Sequence, residues 1–535
     1  MPEAQRVSTR ATGIVGLAIL CSRLLGLIRE IVVAALFGAT RNLDAFLTAF
    51  RAPNMLRDLF AEGALSTAFV TTFSRRIATE GAESAWELAS KVATLTLIFM
   101  SGITLLGILF APALITVLAP GFDAEKAALT IQLTRIMFPF ILLVSLAALA
   151  MGMLNARNVF GMPAMASSFF NLGSIIGGVA FCYWLDPQAD WRHPHFGARG
   201  LVGLSIGTLI GGFMQLVVQF PALRRVGFHF RPDFNWRDAG VRTILVLMGP
   251  ATIAASAVQV NVAVNSGFAS ALGDGPMAWL NIAFRLMQLP LGIFGVAVGT
   301  VTLPMISRSA ATGDIPAFRS ALSHALRLVM LLTIPAAIGL MMLARPIISL
   351  IYEHGRFDAY ATEQTALALQ FYAIGLAAYA AVKVLAPAFY ALDRRYLPML
   401  VSMLSIVINF ALNWFFMFKL HLGHRGLALS TSLVAITNFV LLYIMMRRYA
   451  GRLETGALFQ TLAKLLVAGA LLAGVCWLSS RAIFVPGSRI PEWKKILEVL
   501  AAVTAGGVVF FAAAFALRVA ELEDVVQLVR RKLKR

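Results

Sequence analysis

The chain has 535 residues, 59% hydrophobic and 13% charged, with a net charge of +19. A soluble domain carries about 25% charged residues, so lipid is the solvent for most of this sequence. Apolar blocks of about 20 residues or more fit helices crossing a ~30 Å hydrocarbon layer. The short alternating segments of a β-barrel are absent. The predicted fold class is therefore an all-α polytopic membrane protein. No aromatic-interleaved basic patch of the RNA-binding kind stands out, so the basic surplus reads as cytoplasmic loops and no nucleic-acid partner is expected.

Fourteen apolar spans follow in chain order: 12–37, 43–74, 88–118, 127–154, 162–185, 199–223, 240–267, 277–304, 322–350, 363–391, 397–419, 425–447, 462–480 and 496–517. The first is too long, and lacks the small-residue cleavage site, for a removable signal. Connections are short and polar, such as Gly273-Asp274-Gly275-Pro276 and Leu392-Asp393-Arg394-Arg395. The tail from about 519 to Arg535 is basic and amphipathic, suited to an anionic membrane surface. With both termini cytoplasmic, inner segments hold roughly twice the Lys and Arg of outer ones, as the positive-inside rule requires. Cys21, Cys182 and Cys476 lie far apart in apolar segments, which indicates neither a disulfide framework nor a metal site.

An internal repeat is visible. Ala49-Phe50-Arg51 recurs as Ala283-Phe284-Arg285, Ser74-Arg75 as Ser307-Arg308, and Ala156 with Pro163 as Ala391 with Pro398. The shared offset spans six helices, an even number, so the two copies point the same way. The expected organisation is an N-terminal lobe over 1–225, a C-terminal lobe over 226–450, and two extra helices with a basic tail over 451–535. Repeat-built lobes around a central site are a common plan for alternating-access transporters.

Six cations sit well inside these spans: Arg23, Arg29, Arg51, Arg57, Arg285 and Lys383. Each costs roughly 2.5–3.5 kcal/mol at mid-bilayer on insertion scales. They must face a polar cavity or ionic partners. At 1.5 Å per residue, Arg51 and Arg285 lie at matching depths, roughly 12 Å from the outer face. Arginine suits bidentate phosphate binding and lysine acts as a point charge, so a diphosphate matches this cationic ladder. The alternative is neutralisation within the bundle by Glu30, Asp44, Asp58 and Glu62. Adjacent helical residues do not share a face, so Arg29-Glu30 and Arg57-Asp58 are not automatic pairs.

Asn409 and Asn413, four apart on the eleventh span, are candidates for a cation site, or simply for interhelical hydrogen bonds, the commoner use. Span seven offers Gln259, Asn261 and Asn265 but no carboxylate. The histidines lack zinc spacing. The glycines from Gly173 to Gly178 read as packing surface, and no phosphate-binding P-loop is present, so ATP hydrolysis is not expected to drive transport.

Several strings resemble one family. Ser22-Arg23-Leu24-Leu25-Gly26-Leu27-Ile28-Arg29-Glu30, Asp44-Ala45-Phe46, Pro53-Asn54, Phe60-Ala61-Glu62-Gly63-Ala64, Arg285-Leu286-Met287 and Val382-Lys383-Val384-Leu385-Ala386-Pro387 are similar to the MurJ (MviN) lipid II flippase family. That family sits within the multidrug, oligosaccharidyl-lipid and polysaccharide exporter superfamily. The resemblance covers nearly the whole chain. It implies a transporter, not an enzyme, that moves undecaprenyl-diphosphate-linked peptidoglycan precursor between leaflets of the bacterial inner membrane. It implies substrate-binding roles for Arg23, Arg29, Arg51, Arg57, Arg285 and Lys383, with Asp44, Asn54, Glu62 and Gln288 as supporting polar groups. It further implies a lipid-tail groove on the last two helices, membrane lipids and other cell-wall synthesis proteins as partners, and coupling to a monovalent cation or the membrane potential, with no resident cofactor. One departure stands out: Gln288 replaces a glutamate common in the family, which removes a carboxylate beside Arg285. Competing readings are an exporter of another lipid-linked oligosaccharide, a lipid-diphosphate enzyme, and a scaffold without transport.

Overall fold

The computed structural model describes residues 9–59, 65–187, 196–483 and 492–523. Among the described residues the regular structure is entirely helical. In order the helices are α1 (Thr9–Phe37), α2 (Arg41–Arg57), α3 (Ser66–Glu80), α4 (Ala82–Leu109), α5 (Ala111–Leu118), α6 (Ala124–Met137) and α7 (Phe140–Ala156). Next come α8 (Gly161–Leu185), α9 (Ala198–Val217), α10 (Phe220–Arg225), α11 (Ala239–Ser270), α12 (Pro276–Pro290), α13 (Val296–Ala311) and α14 (Ile315–Met342). The last are α15 (Ala344–Tyr352), α16 (Ala359–Ile374), α17 (Leu376–Ala391), α18 (Tyr396–Trp414), α19 (His424–Ala450), α20 (Thr455–Ile483) and α21 (Glu492–Ala516).

Every apolar span coincides with a helix or a broken helix. Among the described residues ten helices, or eleven with the bent pair α16–α17, are long and apolar enough to cross a membrane. This is fewer than the fourteen expected spans. The spans outside that set are the first, second and seventh. The second, expected as one piece over 43–74, begins with the charged α2 and continues in α3 to Glu80.

The breaks have local causes. Pro112 sits in the first turn of α5, Pro221 in that of α10, and Pro139 precedes α7; none can supply the N–H that would continue the preceding helix. The α16–α17 bend of 43° occurs at Gly375. A Cβ there would lie 2.7 Å from the Cα of Ser432 on α19, so only glycine permits this approach. Aspartates cap four helices: Asp123 receives the Glu125 and Lys126 N–H groups at 3.1 Å, and Asp238, Asp314 and Asp358 cap α11, α14 and α16 in the same way.

The breaks also carry the repeat. The interruption before α5 at Phe110 recurs before α15 at Leu343, and the cap Asp123 recurs as Asp358. A π-helical segment at Leu291–Gly295 between α12 and α13 answers π-helical residues 58–59 after α2.

The chain divides into two compact units, 1–277 with 355–357, and 278–354 with 358–535. By pattern α11 opens the second copy, yet by contact it belongs to the first unit. The first unit packs around Phe69, Phe73, Leu88, Leu149 and Leu154. Its α8 and α9 touch through glycines, as expected: a Cβ on Gly207 would lie 2.3 Å from the Cα of Gly178. Small residues allow such backbone approach where lipid offers no hydrophobic drive between helices. In the second unit α20 packs on α14 and α21. Arg327 of α14 holds that end together, pairing with Glu454 at 2.6 Å and with the buried Glu521.

Candidate functional site

In the first unit, α2 places Asp44 and Arg51 seven residues apart, hence on one face, and Asp58 follows at its C-cap. Each meets α11 or the turn after it. The Gly275 N–H donates to Asp44 at 2.6 Å, Arg51 donates to the Ser266 hydroxyl, and Gln259 donates to Asp58 at 3.3 Å. The pairing descends α2 as it ascends α11, so the two helices form an antiparallel polar seam.

Arg57 pairs with its neighbour Asp58 through Nη2 at 2.8 Å and Nε at 3.1 Å. Adjacency leaves this pair open in the sequence, where Asp58 is one of the candidate neutralising acids. The π-helical turn at 58–59 departs from regular helix spacing, and the long guanidinium side chain folds back along it. Arg23 is exposed on α1, two turns before the half-buried Arg29, whose guanidinium lies 5.1 Å from the centre of the Phe170 ring. Asn54 is half-buried on α2. Glu62 lies outside the described residues, as do tail residues 524–535.

In the second unit, Arg285 and Gln288 are exposed one turn apart on α12, just before the π-helical segment. Lys383 is exposed on α17, one turn before Pro387. Asn409 and Asn413 are buried on α18, and the Ser430 hydroxyl of α19 lies within hydrogen-bond reach of both side-chain carbonyls, at 3.5 Å in the case of Asn409. That is the interhelical use weighed against a cation site. Among the described residues no group of three or more His, Cys, Asp or Glu side chains could hold a metal ion.

Sequence reasoning missed the buried ion pairs at helix ends. Lys126, 2% exposed, binds Asp44, 0% exposed, at 3.3 Å and Asp274 at 2.9 Å. Lys91, near the start of the third apolar span, is buried against Asp238 at 3.0 Å, and Arg76 joins the same carboxylate at 2.8 Å. Burial disfavours the Asp238 charge, but hydrogen bonds from Arg76, Lys91 and the Gly240 N–H outweigh it and hold the carboxyl below its ordinary range. Exposed Asp123 is lowered to about 2 by its bonds to Arg41 and the Lys126 N–H. The available signal was the scarcity of acids: 26 Asp and Glu serve 45 cations, so an acid opening an apolar span marks a partner nearby.

Two copies of one helical pattern, with cations set into apolar helices, define a polytopic membrane transporter. The chain aligns over 96% of its length with 99% of a solved lipid II flippase MurJ in an inward-closed conformation, at a TM-score of 0.76 and 24% identity. It aligns over 81% with 96% of an inward-facing multidrug resistance transporter of the MATE family, at 0.68 and 17% identity. These likenesses show that the chain shares the fold of those two structures.

Sequence comparisons give the family. The family model described as lipid II flippase MurJ matches residues 33–492. The lipid II flippase MurJ of Burkholderia cenocepacia is 33% identical over 85% of this chain and 87% of its own. A probable lipid II flippase MurJ of Rhizobium tropici is 34% identical over 97% and 96%. The chain belongs to the lipid II flippase MurJ family, a family of transporters rather than enzymes, and is a multi-pass membrane protein.

Proposed function

We propose that this protein flips lipid II from the cytoplasmic to the periplasmic leaflet of the inner membrane by alternating access, with both termini in the cytoplasm. The observation that carries the reading is Arg285, an exposed guanidinium on an apolar helix with Gln288 one turn away. Arg23 and Lys383 are likewise exposed on apolar helices. Cations so placed match a diphosphate, whose oxygens accept the paired N–H groups of arginine. Arg29, Arg51 and Arg57 of the first unit are further candidate phosphate ligands, with Asn54 in that unit and Gln288 in the second as neutral hydrogen-bonding groups.

Substrate drives the change of state only through a difference in its affinity for the two states. The membrane potential supplies about 2.3 kcal/mol per charge per 100 mV. With Gln288 uncharged and Asn413 engaged by Ser430, potential coupling is favoured over a monovalent cation. The test is complementation of cells depleted of their own flippase, reading lipid II in the outer leaflet. The intact chain restores it and the Arg285→Ala form does not. Restoration by both would end the cationic-path reading. Failure of both at normal membrane levels would point to another lipid-linked oligosaccharide.

A further inference from the structure

The connection between α10 and α11 is built as a rigid hook. Phe228 packs at a tilt against Trp86 with ring centres 5.5 Å apart, and Trp86 in turn meets Phe73 at 5.2 Å in the core of the first unit. Beyond Phe228 the backbone is fastened to α4: the Arg231 N–H donates to Ser90 at 3.4 Å and the Asp233 N–H to Thr94 at 3.2 Å. Both hydroxyl residues are buried. Asp238 closes the hook through Arg76 and Lys91. Within it, the Asn235 N–H caps onto Asp233 at 2.9 Å and the Arg237 N–H onto Asn235 at 3.2 Å.

Such fastening fixes side chains that a free loop would hide. Phe230 is 48% exposed, Phe234 64% and Trp236 61%. Arg224, Arg225, Arg231 and Arg237 are exposed beside them, with the Arg237 guanidinium 5.2 Å from the Trp236 ring centre. Aromatic and basic residues thus interleave here, a pattern the sequence reading passed over. In water, three fixed apolar rings would be a liability. The hook follows directly on the candidate membrane span Ala198–Arg225 and leads into the apolar Ala239–Gly249 start of α11, which places it at the bilayer boundary, where amphipathic rings settle at headgroup depth and arginines attract anionic lipid.

We infer that the 228–237 hook is an interfacial anchor that docks into an anionic lipid headgroup layer. Phe230, Phe234 and Trp236 enter the boundary between headgroups and chains. Arg231 and Arg237 bind lipid phosphates. The acids of the hook, Asp233 and Asp238, are turned to Lys91 and Arg76, which leaves its outer side cationic.

The test uses the full-length protein in nanodiscs of phosphatidylcholine alone or mixed with phosphatidylglycerol. Tryptophan emission of the native protein is compared with that of Trp236→Phe, which keeps an aromatic ring, and the difference isolates Trp236. Expected are strong quenching of this difference by shallow brominated lipid, weak quenching by aqueous iodide, and a further gain with phosphatidylglycerol. Arg231→Gln with Arg237→Gln should weaken the phosphatidylglycerol preference by about fivefold per residue removed. Equal iodide quenching in nanodiscs and in detergent, whatever the lipid, would overturn the inference and leave the hook as a contact for a soluble protein or a second copy. Lipid quenching with no phosphatidylglycerol dependence in either form would overturn its anionic part.

Discussion

Charges at helix ends and charges within helices follow different rules in this molecule. Lys126 opens α6 and meets Asp44 and Asp274, Lys91 and Arg76 share Asp238, and Arg327 meets Glu454 and Glu521. In each case the chain brings its own acids, and the cation or its acid is buried. Arg23, Arg285 and Lys383 lie farther along apolar helices and are exposed. A buried cation with its acid fixed by the fold is architecture. An exposed cation on an apolar helix matches an anion that arrives from outside, which on the proposed function is the substrate diphosphate.

The comparison breaks most clearly at Arg285 and Lys126. A hydrogen bond to a charged group contributes about 1.5–3 kcal/mol, so Arg285→Ala should lower transport roughly ten- to a hundredfold while the thermal midpoint in detergent falls far less than in Lys126→Met. Lys126→Met should do the reverse. It strands the Asp44 carboxylate without its buried cation, and breaking a buried pair costs about 3–5 kcal/mol. Expression and thermal midpoint should fall well before any specific transport defect appears. An Arg285→Ala protein as destabilised as Lys126→Met, or a fully stable Lys126→Met one, would erase the distinction.

Asp238 sharpens the same contrast through pH. Its carboxyl is held below the ordinary value, so its stabilisation is complete above the unfolded value of about 4 and is lost as pH falls through the lower folded value. Asp238→Asn should therefore be less stable than the native protein at neutral pH. The gap between the two thermal midpoints should narrow only under acid conditions, below about pH 4. A gap that stays constant down to pH 3 would show that Asp238 acts through shape rather than charge.

Much of this was legible in the sequence because lipid imposes a strong grammar. Apolar length located the helices, and the recurrence of Ala-Phe-Arg announced a repeat that the helix breaks then carried in detail. The mid-helix cations were visible as violations of that grammar. What stayed hidden depends on rotation and on distant partners. Nothing local shows that Lys126 meets Asp44, because that contact joins residues 82 apart around the end of two helices. Adjacency could not decide whether Arg57 and Asp58 pair, because the helix leaves its regular period at that point. Asn409 and Asn413 carried two readings in the sequence, and the Ser430 hydroxyl that lies beside both on α19 could not be read from their spacing. The aromatic hook before α11 was passed over because loops carry no periodicity to test.

Arg51 stands between the two classes and gives the smallest, most discriminating effect. It is an intramembrane cation by position, yet its guanidinium is half-buried and donates to Ser266 in the seam shared with Asp44 and Asp58. If the seam is architecture, Ser266→Ala removes one neutral acceptor and should cost about 0.5–1.5 kcal/mol in stability, with transport retained. Arg51→Lys keeps the charge but gives up the planar, multi-donor geometry, so it should behave like Ser266→Ala, and the double variant should cost little more than either alone. That non-additivity identifies a shared contact. Were Arg51 instead bound to substrate, Arg51→Lys would lower transport without moving the thermal midpoint, Ser266→Ala would do neither, and Arg51 would join Arg285 among the cations reserved for the anion that comes from outside.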